Sequence, residues 1–459
     1  MIRNWIKGAG LSLATAAFML AAGLPAQAAV SPEEAARLGK DLTQLGAEKA
    51  GNKEGTIPAY TGGLTTPPAG YKPGGPYVNP FKGEKPLFSI TAANMAQYAD
   101  KLSEGQKLWL KRQPEYRMDV YPTHRTMAFP KRILDATVAN ATTAKTTNGG
   151  IGIEVPNAGL PFPIPKDGHE AMWNHLLTYQ GDCVTFGQTY GYADKSDRFV
   201  LTAKATQRNE QPFYTPGSAK QSSVLFRVSS SPTAPGGLAG QVLSYIDPID
   251  PSSTDRKGYQ YIPGQRRVKL APEFAYDTPN PGGAGIITFD DVSVFSGKMD
   301  RYSFKLVGKK EMFIPYSLYD LAAGDVSKAF LSGRIKPEMM RYELHRVWVV
   351  EAELLPGKRH LYKKRVFYWY EDGAGFGMSD NYDNAGKLLR HGFVIGMQLY
   401  DKELPFTFDF GNYDFSSNVA IAVVPQQPML VGYGEGPGYC KKWSEAEWTP
   451  DAMVGRSVR

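Results

Sequence analysis

Apolar residues recur at helical spacing in the first part of the chain and at alternating spacing in the rest. The segment 31–50 begins like a helix, with Ser31 as N-cap and leucines three to four residues apart. A second helix is predicted over 91–112, and a third over 167–181 with Asp167 as its cap. The N-terminal part is therefore predicted to be partly helical.

Beyond Cys183 the pattern is typical of strands, because short apolar or alternating runs are separated by Gly, Pro, Asn or Asp. The predicted strands are 184–190, 198–206, 222–230, 241–246, 259–270, 301–314, 341–355, 359–371, 391–400 and 404–410. Strands joined by short turns form an antiparallel meander. A sheet with this many strands is expected to curl or close.

The predicted fold class is α+β and β-rich, with a large curved antiparallel sheet or half-open barrel preceded by N-terminal helices. Residues 51–90 are rich in Gly and Pro and have no clear period, so they are predicted to wrap over the body of the protein. The predicted divisions are a signal peptide at 1–28, a helical and irregular segment at 29–160, and the β-rich domain at 161–459.

Two Pro-Gly pairs predict hairpin loops. Pro263-Gly264 and Pro356-Gly357 each have Pro and Gly where a type II turn requires them. Because that turn splays a two-residue hairpin, a four-residue loop is predicted at each pair. Loops of two and of four residues give the same register, because both lengths are even, and in the second hairpin this register places Leu355 opposite Lys358.

This register places alternate residues of the second hairpin on one face, where we expect a ligand to bind. The candidate ligand-binding residues are Leu344, Arg346, Trp348, Arg365, Phe367 and Trp369. Leu344 is predicted opposite Trp369, Arg346 opposite Phe367, and Trp348 opposite Arg365. Arginines stacked on aromatic rings would meet an anionic head group. Ordinary core packing of the same face is the alternative.

The first residues predict export. Arg3 and Lys7 precede an apolar run at 10–24, and Ala26-Gln27-Ala28 has the small residues that a signal peptidase needs. The run is shorter than the roughly 20 residues that span a bilayer as a helix. We therefore expect a periplasmic protein that is cleaved near Ala28 and has no transmembrane segment afterwards.

Net charge, aromatic content and cysteine content bear on which partners and which compartment the protein can have. The formal charge of +7 falls to +5 when Arg3 and Lys7 are removed, and no stripe of Lys and Arg indicates nucleic-acid binding. Aromatic residues make up 12% of the chain, which fits strands or a ligand-facing apolar surface. The two cysteines, Cys183 and Cys440, could form a disulfide in an oxidising compartment or remain two separate thiols.

No catalytic or metal-binding motif is present in the sequence. His169-Glu170 resembles the start of a zinc-protease helix, but Trp173 occupies the position of the second histidine. Asp290, Asp291 and Asp300 flank a predicted short helix and are interpreted as its caps. We therefore predict a protein that is not an enzyme and has no metal, cofactor or catalytic residues. A spatially assembled active site remains the alternative.

Several long segments resemble an uncharacterised family of Gram-negative envelope proteins, a domain-of-unknown-function family labelled outer-membrane lipoprotein-sorting-like. The segments are GAEKAGNKEGTIPAYTGG at 46–63, FSITAANMAQYADKLSEGQ at 88–106, MDVYPTHR at 118–125, GLPFPIPKDGHEAMWNHLLTY at 159–179, YIPGQRRVKLAPEFAYDTP at 261–279 and RYELHRVWVVEAELLPGKRHLYKKRVFYWYEDG at 341–373. The resemblance spans nearly all of the predicted mature chain.

The resemblance implies a distant likeness to the lipoprotein carriers LolA and LolB. Their half-open antiparallel barrel, closed by helices, surrounds a cavity for acyl chains, so the resemblance implies a lipoprotein-carrier-like domain here. It also implies an inner-membrane hydrophobe exporter of the resistance-nodulation-division type as a partner. The family brings no binding residues with it, and this chain is more than twice as long as such a carrier.

These observations predict a periplasmic binding or carrier protein for lipid, lipoprotein or another hydrophobic molecule. One alternative is an envelope hydrolase or degradative enzyme for hydrophobic substrates. Another is a structural partner of a transporter complex, in which the sheet is only a scaffold.

Overall fold

The computed structural model describes residues 30–457 except 195, 197, 216–221, 272, 273, 275 and 332. The signal peptide predicted at 1–28 lies outside the described residues.

The described residues form six α-helices and nineteen strands. The helices are α1 Pro32–Ala35, α2 Glu104–Arg112, α3 Lys131–Asn140, α4 Gly168–Leu176, α5 Tyr319–Ala323 and α6 Pro450–Ser457. The first ten strands are β1 Phe88–Thr91, β2 Arg117–Val120, β3 Lys145–Thr147, β4 Gly152–Glu154, β5 Cys183–Ala193, β6 Phe199–Glu210, β7 Val224–Ala234, β8 Val242–Pro248, β9 Lys257–Ile262 and β10 Arg267–Leu270. The others are β11 Tyr302–Pro315, β12 Phe330–Leu331, β13 Arg334–Ile335, β14 Tyr342–Leu354, β15 Lys364–Tyr370, β16 Gly377–Tyr382, β17 Leu388–Leu399, β18 Leu404–Asp414 and β19 Val419–Val431.

Fifteen strands form one sheet in the order β1-β2-β14-β15-β16-β17-β18-β19-β5-β6-β7-β8-β9-β10, with β11 added beside β14. Its pairings are antiparallel except for a parallel contact between β14 and β2. Two meanders, β14–β19 and β5–β10, meet where β19 pairs with β5. The path has two ends among the described strands, so the sheet does not close on itself. The predicted large antiparallel, β-rich fold is confirmed.

The sheet is strongly curved across the seam between the meanders. Phe226 of β7 and Phe408 of β18 are four strand positions apart, which is about 19 Å in a flat sheet at roughly 4.8 Å per strand. Their ring centroids are nevertheless 5.9 Å apart. The two side chains can meet only because the sheet bends toward them, and the concave face lies on their side.

The connector at 51–90 lies against the C-terminal strands, as its length predicted. The hydroxyls of Tyr71 and Tyr77 donate to the two carboxylate oxygens of Asp401, each at 2.7 Å. Farther along, the Trp109 and Tyr413 rings stack at 3.9 Å within a core shared by the N-terminal and C-terminal parts of the chain. The boundary drawn at 160 stays a prediction.

The predicted helices begin correctly but are shorter than expected. Ser31 caps α1, accepting from the Glu34 backbone N–H at 3.2 Å, but α1 stops after four residues. Gly39 beyond it has a φ of 83°, a left-handed conformation that ends helical geometry. The helix predicted over 91–112 is a 3-10 helix followed by α2, because Ser103 forms a capping box that starts a new helix.

The helix predicted from Asp167 is α4. Asp167 accepts from the Glu170 backbone N–H at 2.9 Å, which confirms the cap. The helix ends at Leu176 rather than running to Gly181.

The two hairpin predictions had different outcomes. The loop at Pro263-Gly264 has four residues, since Ile262 pairs with Arg267. The loop predicted at Pro356-Gly357 is wrong, because β15 begins only at Lys364.

The cross-strand pairs of the second hairpin are therefore wrong as well. Trp348 lies opposite Trp369, and Ala352 lies opposite Arg365. The shift from the predicted register is four residues, an even number, so the residues predicted to share a face still share it.

Strand β19 was missed because Pro425 and Pro428 interrupt it, and proline argues against a central strand. The structure accommodates the second proline where the pairing of β19 with β5 is irregular, between Gln426 and Leu430.

The question left open for the cysteines is also answered. Cys183 and Cys440 form a disulfide with their Cα atoms 6.2 Å apart.

Candidate ligand-binding cavity

A cavity of about 370 Å³ lies on the concave face of the sheet. It is covered by residues 276–300, which cross the face between β10 and β11 and are called the strap below. The volume falls within the range of small-molecule sites. Two lining residues, Asp255 and Pro281, are exposed, so the cavity meets solvent beside them.

Aromatic rings form the floor of the cavity. Phe186 and Phe226 each stack on Phe408, with centroids 5.9 Å apart in both pairs. The rings come from three strands whose alternate residues point to the concave face. The aromatic lining residues are Trp173, Phe186, Tyr190, Phe226, Tyr245, Tyr276, Phe289, Phe295, Phe408 and Phe410.

A chain of hydrogen bonds runs along one wall. Tyr190 Oη and Gln207 Nε2 both donate to Gln188 Oε1 at 2.9 Å, and Gln188 Nε2 donates to Asp409 Oδ1 at 2.7 Å. Complete burial raises the pKa of Asp409 well above its usual range, and the Gln188 amide opposes this only in part.

The charged lining residues are paired with one another. Arg256 donates to both carboxylate oxygens of Asp247, at 2.6 and 2.9 Å, and its guanidinium lies over the Tyr245 ring. Lys298 of the strap donates to Asp255 at 2.8 Å. Both cations that line the described part of the cavity are thus neutralised.

A buried ionic cluster ties the strap to the sheet. Arg365 on β15 donates to Asp290 Oδ2 at 2.7 Å and to Asp291 Oδ1 at 3.3 Å. Arg390 on β17 donates to Asp291 Oδ2 at 3.1 Å and to the Gly285 carbonyl at 2.9 Å. Burial alone would raise the pKa of Asp290, but Arg365 and His360 hold it below its usual range.

Local geometry in the strap depends on the same arginine. Thr288 is the N-cap of the short 3-10 helix Phe289–Asp291, and Asp291 Oδ2 accepts from the Thr288 backbone N–H at 3.0 Å. The predicted capping role is therefore confirmed for Asp291 only, because Asp290 lies inside the helix and Asp300 accepts from Tyr276 instead. Val294 follows with a φ of 75°, a strained conformation for a β-branched residue. The Val294 carbonyl accepts from Arg365 Nη2 at 3.0 Å. Arg365 therefore stabilises both the helix and the strained turn that follows it.

Helix α4 closes one side of the cavity. Its His175 directs Nε2 at the Phe295 carbonyl of the strap, 2.8 Å away, and stacks on Trp369 at 3.8 Å. Burial lowers the pKa of His175 to about 4, and the two facing carbonyl oxygens oppose this only in part. The imidazole is consequently neutral and links the helix to the strap.

None of the six residues predicted from the sequence lines the cavity in the described structure. Phe367 and Trp369 stack on each other behind it, where Phe367 contacts Phe295 and Trp369 contacts His175. Leu344 is buried in the main core. Phe367 and Trp369 therefore support the cavity wall from behind.

The two arginines predicted for a head group have structural partners instead. Arg365 is fully buried in the ionic cluster of the strap. Arg346 donates to the Ala50 carbonyl at 3.1 Å. Trp348 lies under Lys309, whose Nζ is 4.8 Å from the ring centroid.

The residues that line the cavity were not predicted, because predicting them requires the order of the strands in the sheet. Residues 186, 188 and 190 alternate along β5, as do 203, 205, 207 and 209 along β6. The alternation is visible in the sequence, but it does not indicate which face of the sheet is concave or which segment covers that face.

No group of three or more His, Cys, Asp or Glu among the described residues could hold a metal ion. No helix in this part of the chain is long and apolar enough to cross a membrane.

Replacing Arg365 by Met is expected to free the strap. Asp290 and Asp291 would be left buried without their main cation, which typically lowers the free energy of unfolding by about 3–5 kcal/mol. Urea unfolding measures that loss, and limited proteolysis should show new cleavage within 276–300. The exposed Arg267→Met variant is the control, with a change within about 0.5 kcal/mol. A strap that stays protease-resistant in Arg365→Met would contradict this role.

Replacing Glu170 by Gln is expected to stabilise the protein at high pH only. Burial raises the pKa of Glu170 in α4 to about 7, although the Lys166 backbone N–H opposes it. The folded state then holds a proton that the unfolded chain releases at lower pH, so stability falls as pH rises from about 4.5 to 7. Glu170→Gln removes this loss, so its free energy of unfolding at pH 8 should exceed that of the native chain by about 2–4 kcal/mol.

Thermal unfolding at pH 5 and pH 8 measures this difference. The exposed Glu54→Gln variant serves as the control, and its difference from the native chain should not change with pH. An equal effect of Glu170→Gln at both pH values would refute the assignment.

Comparison with known proteins places the chain in a family. Residues 89–453 match the family described as "Protein of unknown function (DUF1329)". An uncharacterised protein of Pseudomonas aeruginosa is 40% identical over 438 residues, which cover 94% of this chain and 95% of that protein.

Solved structures give weaker likenesses. A putative outer membrane lipoprotein-sorting protein domain from Vibrio parahaemolyticus is 12% identical with a TM-score of 0.39, covering 60% of this chain and 92% of its own. A DUF1329 family protein from Desulfovibrio piger is 10% identical with a TM-score of 0.40 and the same coverage. A LolA superfamily protein from Nitrosomonas europaea is 9% identical with a TM-score of 0.38, covering 63% of this chain and 100% of its own. The match over 89–453 and the Pseudomonas relative confirm the predicted family: the chain belongs to the DUF1329 family.

Proposed function

We propose that this protein is a periplasmic binding or carrier protein for a lipid, a lipoprotein acyl chain or another hydrophobic molecule. The observation that carries the proposal is the aromatic-lined cavity under the strap. A ligand that spends time in water gains from such a site, because each buried CH₂ group contributes about 0.8 kcal/mol.

The construction of the cavity supports reversible binding. Its floor belongs to a continuous sheet, whereas its cover is an irregular segment anchored mainly at Asp290 and Asp291. The exposed lining residues Asp255 and Pro281 give a ligand a route past the strap. A rigid floor with a separately anchored cover suits a carrier that must both load and release.

The periplasmic location is part of the same proposal. The apolar run at 10–24 followed by Ala26-Gln27-Ala28 supports export. The disulfide between Cys183 and Cys440 supports an oxidising compartment, because structural disulfides are rare in the cytosol. No comparison supports an exporter of the resistance-nodulation-division type as a partner, so the proposal does not include one.

A hydrolase is the main alternative. It would need a nucleophile beside a base, yet the histidine of the cavity wall faces elsewhere. His175 directs Nε2 at the Phe295 carbonyl and Nδ1 at the Ala374 carbonyl, 3.3 Å away, rather than at a hydroxyl. Labelling of a single serine or cysteine by an activity-based probe would favour this alternative.

Filling the cavity tests the proposal. Ala205 lines it on β6, and Ala205→Trp is expected to block the aromatic floor and weaken binding of a hydrophobic fluorescent dye at least tenfold. Dye titration of the refolded, delipidated protein gives the affinity. Thr206→Trp adds the same ring to the exposed opposite face of β6 and is the matched control.

The control variant should bind the dye as the native protein does. Equal binding by both tryptophan variants would place the dye outside the cavity and contradict the proposal. A native protein that binds no dye would contradict it as well.

A further inference from the structure

We infer that the head of the ligand is uncharged and donates at least one hydrogen bond, as an amide or a hydroxyl does. This inference rests on the proposed function and narrows the class of ligand. Two buried amides in the cavity wall, those of Asn209 and Gln207, are the observations that carry it.

The side-chain oxygen of Asn209 is buried without a partner. Asn209 lines the cavity on β6 and is 6% exposed. Its Oδ1 accepts no hydrogen bond within the described structure. Its neighbours across the sheet, Val184 and Val228, are apolar. A buried amide in such surroundings is stabilised only if something in the cavity bonds it.

Gln207 has one free oxygen, and its orientation is set by its neighbours. Asp409 accepts from Gln188 Nε2, so Gln188 presents Oε1 to Gln207. Gln207 must therefore use its Nε2 as the donor in that contact. This leaves Gln207 Oε1 without a partner, buried and able only to accept.

Position links these amides to the apolar floor. Gln207 lies directly opposite Phe186 in the β5–β6 ladder, and Asn209 is on the same face two residues along. A tail that lies on Phe186 and Phe408 would bring the atoms at its end to the two amides. The cavity therefore recognises an amphiphile, with the tail on the rings and the head at Gln207 and Asn209.

Charge pairing argues against an anionic head. Arg256 is bonded twice to Asp247, and Lys298 is bonded to Asp255, so neither cation is available in the described part of the cavity. Unpartnered amide oxygens repel a carboxylate or phosphate oxygen, which also can only accept. A buried anion would lack a counterion here.

Three ligands with the same ten-carbon acyl chain distinguish these possibilities. Decanamide has a neutral head that donates and accepts, methyl decanoate is neutral and only accepts, and decanoate is anionic and only accepts. Each is used to displace a hydrophobic fluorescent dye from the full mature protein at pH 8. We expect decanamide to compete at least tenfold better than either of the other two.

Because the three compounds differ in their partitioning from water, variants provide the decisive comparison. Asn209→Leu and Gln207→Met remove the unpartnered oxygens at similar volume, and each should lower the preference for decanamide over methyl decanoate about fivefold. The matched control is Asn412→Leu, since Asn412 is also buried with an unpartnered oxygen but does not line the cavity. The control should keep the native preference.

The outcomes separate this inference from the function on which it rests. Dye binding with no preference for decanamide, a preference for decanoate, or a preference that survives both variants would overturn the inference alone. A protein that binds neither dye nor any of the three ligands would overturn the proposed function and this inference together.

Discussion

The cavity depends on the pairing of two strap aspartates with two sheet arginines. A curved sheet with an apolar concave face tends to be covered by whatever part of the chain can reach it, since exposed apolar surface is costly. In this protein Asp290 and Asp291 hold the middle of the cover against Arg365 and Arg390. One part of the face is packed by the strap residues Ile286 and Ile287, and a hollow is left beside them.

Buried ion pairs of this kind rarely add net stability, because desolvation of the charges offsets their attraction. In this protein the ion pairs fix the position of the strap on the sheet. Arg365 meets Asp290, Asp291 and the Val294 carbonyl in one geometry, so the strap has a defined path across the sheet. Apolar packing alone would allow the strap to slide inward and fill the space, as cores normally do.

Much of the local structure could be predicted from the sequence, because it is decided by neighbouring residues. Alternation located most of the strands, Ser31 and Asp167 were identified as caps, and the loop at Pro263-Gly264 has the predicted length. Strand β19 was not predicted because it contains prolines. The irregular pairing with β5 that accommodates the second proline is visible only in the structure.

The site could not be predicted, because it depends on contacts between distant segments. The aromatic and arginine content of the hairpin at 341–373 was recognised, but its faces are packed on both sides in the core. Arg365 was interpreted as a head-group ligand, although its actual partners are 74 and 75 residues away in the sequence. The path of the strap decides which of the alternating strands line the cavity. The periodicity of the sequence does not show where the strap lies.

A crystal structure of the mature protein purified from the periplasm of its own host would decide whether the hollow holds a ligand. If the cavity binds a hydrophobic ligand, electron density for an apolar tail is expected between the strap and the rings of Phe186, Phe226 and Phe408. A strap packed flat on the sheet, with Phe289 and Phe295 filling that space, would contradict that expectation.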